Sequence, residues 1–221
     1  MLVISVIQNV IDMRSMVTNN TLVESTIQEI FKVPIYSVEL DLDNKKLQAY
    51  CENYKKNINV VGRTRSNVGG YQSKDLSLDS KTLQPLIKEI ETHTNIFANT
   101  FLNSKQSILN IWFNINQYKD SNQMHMHPKA SISGVYYIKT PEECGVIEFE
   151  HPGDYILDSY NYDHNYKEED DYNPYSATRW WLPSTENILY LFPAWLKHHV
   201  KINLNKNEER ISMSFNTNHA T

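Results

Sequence analysis

The chain has 221 residues, 40% hydrophobic and 21% charged, which suits one globular core with an extra layer and falls short of two full domains. A net charge of -5, a pI near 5.9 and the lack of a long Lys/Arg run speak against a phosphate-tracking face, so no nucleic-acid partner is expected. Cys51 and Cys144 lie far apart and match neither a zinc spacing nor a disulfide framework, which points to a reducing cytoplasm.

The opening "MLVISVIQNVIDMRSM" is apolar but has no basic leader or small-residue cleavage site, and is too short to span a bilayer. It is expected to pack as a strand or helix, with no signal peptide and no membrane association. "TLVESTIQEIF" and "KKLQAYCENYKKN" have short helical periodicity. "KTLQPLIKEIETHTNIFANTFL" is the clearest predicted helix, with Leu83, Leu86, Ile87, Ile90, Phe97 and Phe101 close to one stripe. From about residue 107 the texture changes to short β-branched and aromatic runs, "SILNIWFNINQY", "ASISGVYYIKT", "GVIEFEH", "NILYLFPAW", "HHVKIN" and "RISMSFN". Helices followed by many short strands predict a mostly β fold, a sandwich or barrel backed by helices. Between two of these runs, residues 152–183 fit neither period and are rich in Tyr, Asp and Asn, with an acidic knot "KEEDDY". That stretch reads as a long insertion, either a lid or partner surface or a loop packed on the sheet. Trp180 and Trp181 at its end either close over a substrate or anchor the loop.

The chemistry-bearing stretch is "QMHMHPKASISGVYYI". On an extended chain, residues i and i+2 share a face, so His125 and His127 aim two imidazoles into one volume, a poor core but a good set of first-row metal ligands. In "WLKHHVKIN", Leu196, His198, Val200 and Ile202 form the apolar face, while Lys197, His199, Lys201 and Asn203 form a solvated one. His198 is therefore expected inward as a third ligand and His199 outward. Further on, Arg210, Ser212, Ser214 and Asn216 share one face of "RISMSFN", opposite Ile211, Met213 and Phe215. A hairpin through "NLNKNEE" would return Arg210 and Ser212 beside His198 as a carboxylate clamp; the plainer alternative is a surface ion pair of Arg210 with Glu208 or Glu209. Tyr136 or Tyr137 is a candidate for the pocket: strict alternation from His127 turns Tyr137 inward, and a register slip at Pro128 would turn Tyr136 inward instead. Asn114 on the preceding strand is another candidate, and either could equally be a packed strand residue.

These residues resemble the iron(II)- and 2-oxoglutarate-dependent oxygenases, above all a group of bacterial and phage members. "FKVPIY" is similar to that group's opening strand and "SNVGGYQS" to its Ser-Asn-x-Gly-Gly-aromatic-Gln-Ser stretch. "WFNINQY" before "HMHP...SGVYYI", then "FPAWLKHHV" and "RISMSFN", follow in the same order. The resemblance starts near residue 31 and leaves residues 1–30 as an N-terminal extension, with 31–221 as one domain carrying the 152–183 insertion. It implies a double-stranded β-helix, or jelly-roll, of cupin-like type. It also implies Fe(II) as metal, 2-oxoglutarate as cosubstrate and O2 as oxidant, with His125 and His198 as ligands and Arg210, assisted by Ser212, on the cosubstrate's far carboxylate. Tyr137 and Asn114 would line its seat. His127 stands where most of the superfamily has a carboxylate; either it ligates as a third imidazole or another donor fills that position. The resemblance thus predicts an oxidoreductase acting on a small-molecule or side-chain substrate. A three-histidine dioxygenase without 2-oxoglutarate and a non-catalytic jelly-roll binding protein are the rival readings. Strand edges and the insertion would allow a homodimer, though no sequence feature demands one.

Overall fold

The computed structural model describes residues 26–57, 61–161, 174–175 and 177–220. Residues 1–33 and 34–221 separate as two units. In the first, the described residues 26–33 carry no helix, which corrects the helical reading of "TLVESTIQEIF" where it can be seen. Ile27, Ile30 and Phe31 are exposed, and a short helix without an apolar surface to pack on is marginal in water.

The second unit opens with β1 (Tyr36–Glu39), then α1 (Asn44–Lys56). Asp43 caps α1 by accepting from the Lys46 amide at 3.0 Å, and Lys55 and Lys56 sit in its last turn, where they complement the helix dipole. After β2 (Asn67–Val68) and β3 (Tyr71–Gln72) comes α2 (Gln84–Phe101), the longest predicted helix. It begins at Gln84 rather than Lys81 because Pro85 occupies the first turn, where its missing N–H costs nothing. Leu86, Ile87, Ile90, Phe97 and Ala98 form its buried stripe.

The strands that follow are β4 (Gln106–Asn116), β5 (Ser121–His125), β6 (Ile132–Lys139) and β7 (Ile147–Glu150). Then come α3 (Asp154–Asn161), β8 (Arg179–Leu182), β9 (Ile188–Pro193), β10 (His198–Val200) and β11 (Arg210–His219). They build a six-stranded sheet ordered β1-β9-β6-β11-β4-β3 and a five-stranded sheet ordered β2-β5-β10-β7-β8, with every pairing antiparallel. From β4 onward the chain passes back and forth between the sheets, which is the winding of a double-stranded β-helix.

Alternation along the large sheet sorts two interiors. Ile111, Phe113 and Ile115 of β4, Tyr136 and Ile138 of β6, Leu189 and Leu191 of β9, and Ile211, Met213 and Phe215 of β11 join the helix stripe in one apolar core. Gly134 leaves the space that the Phe215 ring fills; a Cβ there would lie 2.4 Å from Phe215 Cζ. The opposite face of the same strands, carrying Asn114, Tyr137, Arg210 and Ser212, looks toward the small sheet.

Two expectations are corrected. β10 and β11 form no hairpin: β10 pairs with β5 and β7, β11 with β4 and β6, so "NLNKNEE" crosses between sheets. Arg210 therefore faces His198 across the sandwich instead of lying beside it. The alternation read through "HHVKIN" also stops at Val200, where β10 ends; Ile202 is 48% exposed and Asn203 fully buried. Asn203 is held inside because its Nδ2 donates to the Asn116 carbonyl at 2.9 Å. The insertion is not wholly irregular, since α3 and β8 fall within it and its two ends close through a His151 N–H to Thr178 O bond of 2.9 Å. "KEEDDY" lies outside the described residues. Trp180 and Trp181 are strand residues of β8, with Trp181 on the same outward face as Glu148. None of the described helices is long and apolar enough to cross a membrane.

Candidate metal centre and acid clamp

Three elements bring the histidines together. His125 ends β5 directly opposite His198 on β10, and their rings lie 4.4 Å apart, centroid to centroid. His127 is two residues beyond the end of β5, and its N–H donates to the Ala194 carbonyl at 2.9 Å, pinning it to the turn before β10. Its Nε2 approaches His198 Nε2 to 3.3 Å. One ligand atom from each ring falls within 4.8 Å of the others, so the three could hold a metal ion. Two adjacent nitrogens bonded at ~2.1 Å to one ion at right angles are about 3 Å apart, near the His127–His198 separation.

Backbone carbonyls set the rings. His125 Nδ1 lies 2.7 Å from Gln123 O and His198 Nδ1 2.9 Å from Leu196 O, so each Nδ1–H donates outward and leaves Nε2 as the lone-pair nitrogen. Burial lowers the pKa of all three, His127 to about 4 and His198 well below its ordinary value. Neutral imidazole is the form that binds a metal. His199, facing outward, lies 3.6 Å from Glu148 and stands apart from the cluster.

Across the interior, Arg210 is 1% exposed. Its Nη1 donates to the Cys144 carbonyl, its Nε has no hydrogen-bond partner, and it makes no salt bridge among the described residues. The alternative reading, a surface ion pair with Glu208 or Glu209, is not formed: Arg210 is buried, and Lys139 pairs with both carboxylates, at 3.1 and 3.6 Å. Pairing sets Ser212 between Asn114 on β4 and Tyr137 on β6, in one row on the interior face. Asn114 Oδ1 and the Tyr137 hydroxyl are buried without a well-formed hydrogen bond. Burial pushes the Tyr137 phenol up to about 12, with the nearby Arg210 and Ser184 opposing that shift. It therefore stays protonated, a donor awaiting an acceptor.

One cavity joins the two groups, lined by His125, His127 and His198 on one side and Asn114, Tyr137, Arg210 and Ser212 on the other. The residues named from the sequence for the metal and the cosubstrate all border it, whereas Trp180 and Trp181 do not. Sequence reasoning missed Ser66, Asn122 and Trp112 on the same wall. Ser66 was in plain view in "SNVGGYQS", but only the fold shows that β2 lays it against β5, where it accepts a bond from Asn122 Nδ2 at 3.3 Å. A buried arginine with no anion and a protonated phenol suit a bound acid, and the three neutral imidazoles suit a divalent first-row metal, so the residues present fit both groups.

A jelly-roll with a metal-capable histidine triad facing a buried arginine is an arrangement suited to a metal and an organic acid held together. Residues 110–216 match the family described as "Putative 2OG-Fe(II) oxygenase". That match spans just under half of the chain, and its family comprises 2OG-Fe(II) oxygenases, oxidoreductases that use Fe(II), 2-oxoglutarate and O2. None of the curated proteins matches it. Similar solved structures include a Pseudomonas putida prolyl-4-hydroxylase, 10% identical with a TM-score of 0.60, covering 86% of this chain and 94% of that one. The alpha ketoglutarate dependent epimerase SnoN from nogalamycin biosynthesis is 15% identical with a TM-score of 0.61, covering 86% and 80%. A viral collagen prolyl hydroxylase from Paramecium Bursaria Chlorella virus-1, in complex with 2-oxoglutarate, is 13% identical with a TM-score of 0.51, covering 84% and 96%. At these identities the likeness is one of fold.

Proposed function

We propose that the protein is an iron(II)- and 2-oxoglutarate-dependent dioxygenase that oxidises a C–H bond of its substrate. The observation that carries this reading is Arg210: a guanidinium buried without an anion is costly, and the cavity it borders ends at the histidine triad. Arg210 would grip the far carboxylate of 2-oxoglutarate through paired N–H bonds, and Ser212 would add a hydroxyl. Tyr137 and Asn114 would orient the rest of the chain of the acid. His125, His127 and His198 would hold iron and leave its remaining positions open. When bound, iron, cosubstrate and oxygen supply the oxidation itself, with release of succinate and CO2. The surrounding Phe192, Ile147 and Val200 keep water out. The free space is narrow, about 40 Å³, so seating a five-carbon diacid calls for side-chain rotation along the wall.

The test is anaerobic titration of the iron(II) protein with 2-oxoglutarate, followed by its weak visible charge-transfer band. The band should appear in the parent and in His199→Ala. Arg210→Ala should keep its iron while binding 2-oxoglutarate ~10–100-fold more weakly, from the loss of a charge-assisted bidentate pair. Equal affinity in Arg210→Ala and parent overturns the clamp. Iron binding without any band favours a three-histidine dioxygenase that works without 2-oxoglutarate, a reading that the imidazole of His127 in a carboxylate's usual place supports.

A further inference from the structure

A second, more open space of about 720 Å³ borders His125 and His127, which it shares with the cavity along with Ser66 and Trp112. Arg63, Arg65, Gln72 and Asp75 are among its walls. We propose that this groove takes a small substrate carrying a carboxylate or phosphate, seated by Arg63 and Arg65 with its reacting carbon over the triad. The inference rests on the histidine cluster being the reaction centre.

Its volume is that of a small-molecule site. Its charge is two guanidiniums against the single carboxylate of Asp75. Asp75 pairs with Arg63 at 2.6 Å and accepts weakly from Asn110 at 3.4 Å. Arg63 is fixed in place: its backbone N–H donates to the Gln72 carbonyl at 2.9 Å, and its guanidinium lies 5.7 Å from the Trp112 ring centroid. Its Nε is nonetheless buried without a partner. Arg65 makes no ion pair among the described residues, while its backbone N–H is held by Asn67 Oδ1 at 2.9 Å. Gln72 adds an independent sign. It is 4% exposed, borders the groove, and its Oε1 has no hydrogen-bond partner. A buried carboxamide oxygen left so is destabilising until a donor arrives. The matching ligand therefore carries an N–H or O–H near its anionic group, as hydroxy acids, amino acids and sugar phosphates do. Arg210 is not among the walls of this groove, so the anion seated here is separate from the one expected deep in the cavity.

Three compounds that share a phenyl group and an adjacent hydroxyl and differ in their polar end test this: mandelate, 2-hydroxy-2-phenylethyl phosphate and mandelamide. Their affinities are measured by calorimetry on the full-length protein, both bare and under argon with iron(II) and 2-oxoglutarate. The two anions should bind, the amide about tenfold more weakly or less, and Arg65→Ala and Arg63→Ala should each erase most of that preference. Both variants should retain the charge-transfer band. Arg65 is exposed, so its substitution tests the seat even if Arg63→Ala disturbs the wall. Equal binding of acid and amide overturns the proposal. So does a preference that survives both substitutions, or one that vanishes in Arg210→Ala instead. A missing charge-transfer band removes the iron and 2-oxoglutarate reading without touching the anion preference of the bare protein, so the two failures are distinguishable.

Discussion

Arg210 shows how a binding residue can oppose stability. Its guanidinium is removed from water, and its hydrogen bond to the Cys144 carbonyl only partly offsets that cost. Arg210→Met, similar in reach and apolar, should give a ligand-free protein at least as stable as the parent in urea unfolding. The variant should gain no added stability from 2-oxoglutarate, whereas the parent gains about 2.7 kcal/mol at a hundred times its Kd. A clear loss of ligand-free stability in Arg210→Met would mean that the arginine is structural. The histidines have the converse economy: kept neutral by burial, they need no counter-charge until a cation arrives.

Loops and strands explain why those side chains meet. The β2–β3 turn runs through Gly69 and Gly70, both at positive φ, and hands the chain from the small sheet to the large one. A Cβ at Gly69 would fall 2.0 Å from Asp120 Oδ1. The other oxygen of that carboxylate, Oδ2, accepts the Gln117 N–H at 2.7 Å. Gly69→Ala should therefore cost about 2–3 kcal/mol, from the left-handed backbone and the displaced Asp120 bond, measured by chemical denaturation. An effect under about 0.5 kcal/mol would show that the turn relaxes freely. This turn also marks where sequence reading ran out. The period-2 pattern of "RISMSFN" revealed its faces because β11 is paired on both sides along its length. "HHVKIN" misled because β10 lasts three residues and then yields to a side-chain-held loop. The β2 and β3 strands are two residues each, too short for any periodicity, so the wall residues Ser66, just before β2, and Gln72, in β3, carried no signal.

The fold as a sandwich divides its labour by face. The large sheet spends its outer face on an apolar core with α1 and α2, leaving its inner face free for polar groups, so the histidines and Arg210 were legible as inward residues while their separation across two sheets was not. The outer face of the small sheet is covered by charge instead: Glu148 with Lys201 at 2.7 Å, and Glu150 with Lys197 at 2.9 Å and with Arg179. The bond from Lys197 holds the Glu150 carboxyl below its ordinary value, against a smaller opposing effect of burial, with Arg179 adding to the lowering. A carboxyl lowered by folding stabilises above its unfolded pKa and loses that contribution as pH falls through the folded one. Glu150→Gln should thus lower Tm at pH 7, with the gap closing as pH drops below 4.5. A gap that persists at pH 2 would assign the effect to packing.

The one strong bond of the Arg210 head reaches a carbonyl in the connection between β6 and β7, a segment that is also tied to the far side by Leu204 N–H to Glu143 O and Lys201 N–H to Val146 O. Anything that tightens on the guanidinium from within therefore pulls on a ribbon at the protein's outside. Amide deuteration around residues 142–146 should slow when the interior is filled, giving a surface gauge for an event that takes place out of solvent's sight.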